Sequence, residues 1–239
     1  MKIVTWNLQH GSGPRWRQQF DYLRHELRAN LAFLQETYNP NLLRAPGEPC
    51  AVFRCCTGAD GKNLSGGSAI WSRSLPLEEL PLDTYLDQSM FRGRVVAATV
   101  MLRPGMSMTV ICVHVPTSKN AQAAAAEIFK GLAPLLTANI PVIFAGDLNL
   151  TVHDKRPLGQ SDIWMRDRLV TEFGLVNCTK YITDRARLCQ NEVSTLRGYP
   201  NQIDYIFASR TFEIHSFDVL EDTEMSDHWP VVADVTLPA

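Results

Sequence analysis

The sequence predicts an α/β protein of the α+β kind, built from two packed mixed sheets with helices outside them. Two patterns carry this: short apolar runs rich in Val, Ile and aromatic residues recur along the whole chain, and only a few segments show helical spacing. A run near Met1–Asn7, containing KIVTWN, opens the chain as a strand. After Pro14, Trp16, Phe20, Leu23 and Leu27 recur at helical spacing and mark one amphipathic helix, its stripe turned to the core. Strand-like runs follow near Leu31–Glu36, Ser68–Ser72, Arg94–Leu102 and Met106–Val115. Ala121–Leu136 reads as a second helix, favoured by its alanines, which Gly131 and Pro134 are expected to shorten or bend. A buried strand at Ile140–Ala145, bounded by Pro141 and Gly146, precedes a third helix at Ile163–Phe173. Strands at Gln202–Ser209 and Trp229–Leu237 complete the set.

At 239 residues and 45% hydrophobic content, the chain can bury a substantial core as one large domain over residues 1–239. Its formal net charge of −2 provides no general basic field to recruit nucleic acid, although local patches can. The N-terminus lacks the order of a signal peptide, and no apolar run approaches the ~18 residues of a membrane span. The six cysteines have no zinc-site spacing. Cys112, inside MTVICVHV, reads as a buried hydrophobe, and the whole as a reduced cytoplasmic protein.

The polar residues that punctuate the strands are the main functional signal. IPVIFAGDLN ends an apolar run and presents Asp147 and Asn149, two apart and so on one side of an extended chain, although Gly-Asp-x-Asn also suits a turn. Asn7 ends KIVTWN, Glu36 ends LAFLQE, and Asp227 with His228 opens the last strand in SDHWPVVADV. Asp204 sits within QIDYIFAS, with Ile203, Tyr205 and Phe207 on one face and Ile206 and Ala208 on its own. A carboxylate there is expensive unless paired, so these residues are expected to meet.

The ordered set TWN, LQE, VH, GDLN, IDY, SDH, running from Asn7 to His228, resembles the endonuclease/exonuclease/phosphatase superfamily of metal-dependent phosphoesterases over essentially the whole chain. The resemblance implies a four-layer α/β/β/α sandwich with the site where both sheets end. It implies Glu36 as principal ligand of Mg²⁺, or Mn²⁺, with Asn7 and Asp227 completing or bordering the metal shell. Hard oxygen ligands of this kind suit those cations. Asp147 matches the position that activates water, Asn149 a donor to that water or to a phosphoryl oxygen, His228 the histidine beside the scissile phosphate, and Asp204 its carboxylate partner. His114 in VHV could be a core histidine. The motif order favours a general acid for the leaving group, and a histidine here argues against the abasic-endonuclease branch, which uses tyrosine.

Arg185, Arg187 and Arg197, just before the IDY strand, could hold phosphates, while a solvated loop is the plainer reading of each. The expectation is therefore a Mg²⁺-dependent phosphodiesterase, with a nuclease and a nucleic-acid substrate favoured. The alternatives are a hydrolase of a small or lipid phosphoester and a catalytically silent binding module.

Overall fold

The computed structural model describes residues 1–9, 14–57, 63–87, 91–117, 121–150, 167–183, 193–199 and 202–237. Its strands are β1 (Lys2–Asn7), β2 (Leu31–Thr37), β3 (Val52–Thr57), β4 (Asn63–Ser72), β5 (Leu77–Glu79), β6 (Val95–Arg103), β7 (Met106–His114), β8 (Val142–Asp147), β9 (Val176–Asn177), β10 (Asp204–Ala208), β11 (Glu213–Val219) and β12 (Val231–Thr236). Among the described residues, the helices α1 (Pro14–Asp21) and α2 (Ala121–Leu136) flank them. The strands form two six-stranded mixed sheets, in the orders β11-β12-β1-β2-β4-β3 and β5-β6-β7-β8-β10-β9. The central pairs β1 with β2 and β7 with β8 are parallel.

Three apolar layers hold these elements. Ile3, Leu31, Phe33 and Ile70 of the first sheet pack against Val96, Val110, Cys112, Ile143 and Ile206 of the second, forming the layer between the sheets. On the outer face of the first sheet, Val4, Trp6, Ala32, Leu34 and Trp71 receive Phe20, Leu23 and Leu27. On the outer face of the second, Ile111, Val113, Phe144 and Phe207 receive Ala125, Ile128, Phe129 and Leu132 of α2. Each sheet is thus covered on both faces, which is why its central strands read as continuous apolar runs. Each fully buried Phe, Leu or Ile in these layers contributes roughly 1.5–3 kcal/mol. Edge-to-face contacts of Phe129 with Phe144 at 5.8 Å and Phe144 with Phe207 at 6.2 Å add about 0.5–1.5 kcal/mol each.

The central strands lie close to their expected places, whereas β3, β5, β9 and β11 were not anticipated. These four are the sheet edges. Edge strands are kept short or charged to prevent further pairing, so their sequences lack the apolar run that identifies a strand. Here they read VFRCCT, LEE, VN and EIHSFDV.

The first helix also departs from expectation. It passes at Tyr22–Glu26 into a wider π turn, in which Leu27 N donates to Tyr22 O at 2.9 Å. Leu23 and Leu27 remain buried on the sheet side. Gly131 and Pro134 do not shorten α2, which runs through Leu136. Gly131 allows a close approach, because a Cβ there would lie 2.2 Å from Tyr85 O. Of the third expected helix, residues 167–171 are helical and 163–166 lie outside the described residues.

Gly146 does not stop its strand either; β8 continues through it to Asp147. Its φ of +148° is open to glycine, and a Cβ would lie 1.8 Å from Val113 O of the neighbouring strand. Gly146→Ala should therefore destabilise the fold by ~2 kcal/mol or more, read as a lower denaturation midpoint with unchanged slope. An unaltered midpoint would remove this constraint.

Candidate active site

Period-two alternation decides most of the site. On the face between the sheets, Ile3 is followed by Thr5 and Asn7, Val110 and Cys112 by His114, and Ile143 and Ala145 by Asp147. On β10, Ala208 and Ile206 lead back to Asp204. Four strands from two sheets thus end their inward rows on Asn7, His114, Asp147 and Asp204 at one edge of the shared core. Asp204 faces Asp147, and His114 faces Asp147, across the strand pairing.

Glu36 is the exception. By parity it belongs with Ala32 and Leu34 on the outer face, but its φ is +49° and the β2–β4 register shifts between Leu34 and Thr37. This bulge turns the carboxylate inward, so that Glu36 Oε1 lies 3.4 Å from Asn7 Nδ2 and 3.7 Å from His114 Nε2. Asn7 Nδ2 also donates to Asp147 Oδ2 at 3.0 Å, and Asn7 Oδ1 accepts from Gln9 N at 3.0 Å. Asn7 therefore presents its amide N–H to both carboxylates.

His228 closes the cluster from the loop before β12. Its Nδ1 donates to Asp204 Oδ2 at 2.9 Å, and its Nε2 lies 4.0 Å from Asp147 Oδ2. Burial alone would lower the His228 pKa, but Asp204 at hydrogen-bond distance, followed by Asp147 and Asp227, pushes it up to about 10. Burial, then the Asp204 charge, pushes Asp147 up to about 7, against the pull of His228, Asn7 and the Asn149 N–H. Asp204 is fully buried, and unpaired burial of such a charge would cost several kcal/mol, so the His228 bond is its main compensation.

Asn149 corrects the extended-chain argument. It has φ +49°, its N–H donates to Asp147 Oδ1 at 2.9 Å, and its Nδ2 donates to Val115 O at 2.7 Å. The Asx turn and the site residue coexist, which leaves the second Nδ2 hydrogen of Asn149 for a ligand. Asp227 is half-buried beside His228, its Oδ1 3.4 Å from Ser226 Oγ. Arg197 donates from Nη2 to Thr223 O at 3.1 Å and lies 3.8 Å from Glu224. Arg185 and Arg187 lie outside the described residues.

Three supporting residues escaped the sequence reading. Ser226 Oγ donates to Asn7 O at 2.7 Å and accepts from His228 N at 3.1 Å, tying the histidine loop to the end of β1. Thr195 Oγ1 accepts from Ile203 N and Asp204 N, and Thr195 O accepts from Trp229 N, linking the Asp204 and His228 segments. Gln35 Nε2 binds Thr5 Oγ1 at 3.2 Å and Cys112 Sγ at 3.3 Å below the site. Parity with Leu31 and Phe33 could have found Gln35; nothing local marks Thr195. Burial pushes the Cys112 thiol up to about 12, in keeping with an inert core residue.

Among the described residues, one group of acids and histidine could hold a metal ion: Asp147, Asp204 and His228 offer ligand atoms within 4.8 Å of one another. Within this group, Asp204 Oδ2 and His228 Nδ1 are already bonded to each other. The Glu36 and Asp147 oxygens, sharing one amide donor, form the side better suited to a hard divalent cation.

The fold and this cluster define a phosphoesterase of the two-sheet sandwich class. The profile of the Endonuclease/Exonuclease/phosphatase family matches residues 4–228, and the chain belongs to that family of hydrolytic phosphoesterases. Comparison with curated protein sequences returns no match. Among solved structures, an endonuclease/exonuclease/phosphatase protein from Beutenbergia cavernae is 23% identical, with a TM-score of 0.68 over 99% of this chain and 71% of that one. The endonuclease domain of TRAS1, a telomere-specific non-LTR retrotransposon, is 17% identical, with a TM-score of 0.66 over 100% and 99%. A mannosyl-6-phosphatase of Bacteroides thetaiotaomicron is 16% identical, with a TM-score of 0.69 over 99% of each chain. These likenesses establish the sandwich fold. Among the described residues, no helix is long and apolar enough to cross a membrane.

The buried pair leads to a double-mutant test. Asp204→Asn keeps shape but removes the acceptor charge, and should lower turnover at least tenfold with little change in substrate binding. His228→Ala should fall comparably, and the double mutant should cost little more. Strictly multiplicative losses with normal melting would show that the two residues act independently.

Proposed function

We propose that the chain is a Mg²⁺-dependent phosphodiesterase acting on nucleic acid. The observation that carries this is the convergence of Asn7, Glu36, His114, Asp147 and the Asp204–His228 pair on one edge of the inter-sheet core. Glu36 would be the principal ligand, with Asp227 and Asn7 at the border of the shell, and the cation would neutralise phosphate charge. Asp147, held by Asn7 and the Asn149 N–H, orients the attacking water and takes its proton. His228, kept cationic by Asp204, donates from Nε2 to a phosphoryl oxygen whose charge grows in the transition state. Asn149 adds a second donor, and His114 donates a hydrogen bond from Nε2 to the leaving oxygen, which takes its proton from solvent.

Nucleic acid is favoured over a smaller ester by the tight turn Leu196–Tyr199, which is bridged to His228 through Leu196. It carries Arg197 and a 62% exposed Tyr199, a cation and an aromatic face that suit phosphate and base. The likeness to the TRAS1 endonuclease domain agrees with this reading. A small phosphoester is the second reading, supported by the net charge of −2 and the mannosyl-6-phosphatase likeness. A Mg²⁺ activity panel of single- and double-stranded oligonucleotides, sugar, nucleotide and inositol phosphates, and sphingomyelin separates them. Turnover of a small or lipid ester without oligonucleotide cleavage would replace the first reading.

Chelation should abolish hydrolysis and Mg²⁺ or Mn²⁺ should restore it, while Asp147→Asn should lose at least about a hundredfold in rate and retain substrate binding. Full activity in excess EDTA, or an Asp147→Asn variant within a few-fold of wild type, would overturn the mechanism.

A pH experiment follows from the same carboxylate. The folded-state pKa of Asp147, about 7, lies above its ordinary 3.8, so the native state holds a proton that the unfolded state releases. This lowers stability as pH rises from about 4 to 7, and the full cost persists above. In EDTA at pH 8, Asp147→Asn should therefore be more stable than wild type by about 1 kcal/mol or more, with the gain vanishing towards pH 4. Denaturant titrations at both pH values check this; an equal gain at both would assign it to packing.

A further inference from the structure

We infer that Arg94 is a positioning residue for His114, holding the imidazole in the orientation and tautomer that present Nε2–H to the reacting centre. This rests on the reading of His114 as donor to the leaving oxygen.

Arg94 adjoins β6 directly opposite His114 on β7: Val95 pairs with Val113, and His114 N donates to Arg94 O at 2.8 Å. Opposite residues of an antiparallel pair lie on one face. Parity with Val96 and Ala98, both in the inter-sheet layer, puts Arg94 on the same inward row as His114. The guanidinium accordingly meets the ring, with Arg94 Nη1 3.5 Å from His114 Nδ1.

That contact has one sense. A guanidinium only donates, so Nδ1 must be the acceptor and the ring proton must sit on Nε2. On the other side of the ring, Nε2 lies 3.7 Å from Glu36 Oε1 and 3.9 Å from Asp147 Oδ2, so a proton there points at the oxygens of the site. The two histidines are therefore set by opposite means. Asp204 draws a proton to Nδ1 of His228, Arg94 excludes one from Nδ1 of His114, and both rings direct Nε2–H inward. A ring turned half over would present carbon to Arg94 and lose both sets of contacts.

The Arg94 backbone is itself braced. Gly93 has φ +73°, and a Cβ on it would lie 2.3 Å from the Cys55–Cys56 peptide of β3. Cys56 Sγ donates to Gly93 O at 3.3 Å, and Arg94 N donates to Phe91 O at 2.9 Å. The arginine is thus held from the backbone side while its head group reaches the ring.

The test is long-range ¹H–¹⁵N correlation of the histidine rings in the full-length protein, with His114 assigned by its loss in His114→Gln. Wild type should show an unprotonated Nδ1 and a protonated Nε2. In Arg94→Met the two nitrogens should move towards the averaged positions of a mobile, exchanging ring. Its kcat should fall roughly ten- to a hundredfold, with KM within about twofold of wild type. Arg94→Lys, which can still donate to Nδ1, should restore the wild-type nitrogen pattern and most of the rate. A proton on Nδ1 of His114 in wild type overturns the inference without any variant having to fold. So does a raised KM in Arg94→Met with the ring spectrum unchanged, which would make Arg94 a substrate-binding residue. Failure of the phosphodiesterase reading appears separately, as turnover that survives EDTA or Asp147→Asn, and leaves the ring spectra as they are.

Discussion

Two covered sheets share one apolar layer, and the rest of the molecule depends on that packing. Each sheet surrenders one face to its partner and the other to a helix, so side chains on the central strands have no route to water except at the strand ends. Polar groups placed on the inward rows are therefore driven to one edge, where the rows of both sheets terminate. The site is a consequence of where the core stops: at the ends of these rows the apolar side chains give way to Asn7, preceded by Thr5, and to His114, Asp147 and Asp204.

The electrostatic character of that edge follows from Asp204. It is fully buried and pairs with a histidine 24 residues away, which it holds in the cationic form. The same charge disfavours ionisation of Asp147 across the strand pairing. Burial and this one charge together raise Asp147 towards neutrality beside a histidine whose Nδ1 proton is held by Asp204. Thr195 joins the Asp204 and His228 segments and Ser226 ties the His228 loop to the end of β1, which keeps this arrangement in place.

Regular strands could not complete the site alone. Glu36 and Asn149 both adopt positive φ, and Gly146 occupies a conformation closed to other residues, all at the ends of strands that enter the centre. Left-handed backbone at non-glycine positions carries a cost, typically about 1–3 kcal/mol, and persists where surrounding contacts over-determine it. Here the result is an inward carboxylate at Glu36 and a turn that brings Asn149 back against Asp147.

What the sequence determined by itself was the central architecture and most of the residues that meet. Buried strands announce themselves as apolar runs, and a charge inside such a run, as at Asp204, needs a partner wherever that partner lies. The four edge strands were illegible because edges must avoid the pattern that identifies strands, and the π turn after α1 because a small widening leaves helical spacing almost intact. Only the tertiary structure decided that Glu36 faces inward, since parity assigns it outward and a bulge reverses it. It also decided that Asn149 lies in a turn against Asp147 and that Arg94 meets His114. These last are relations between strands or local backbone reversals, set by register and φ, and the sequence of a single strand contains neither.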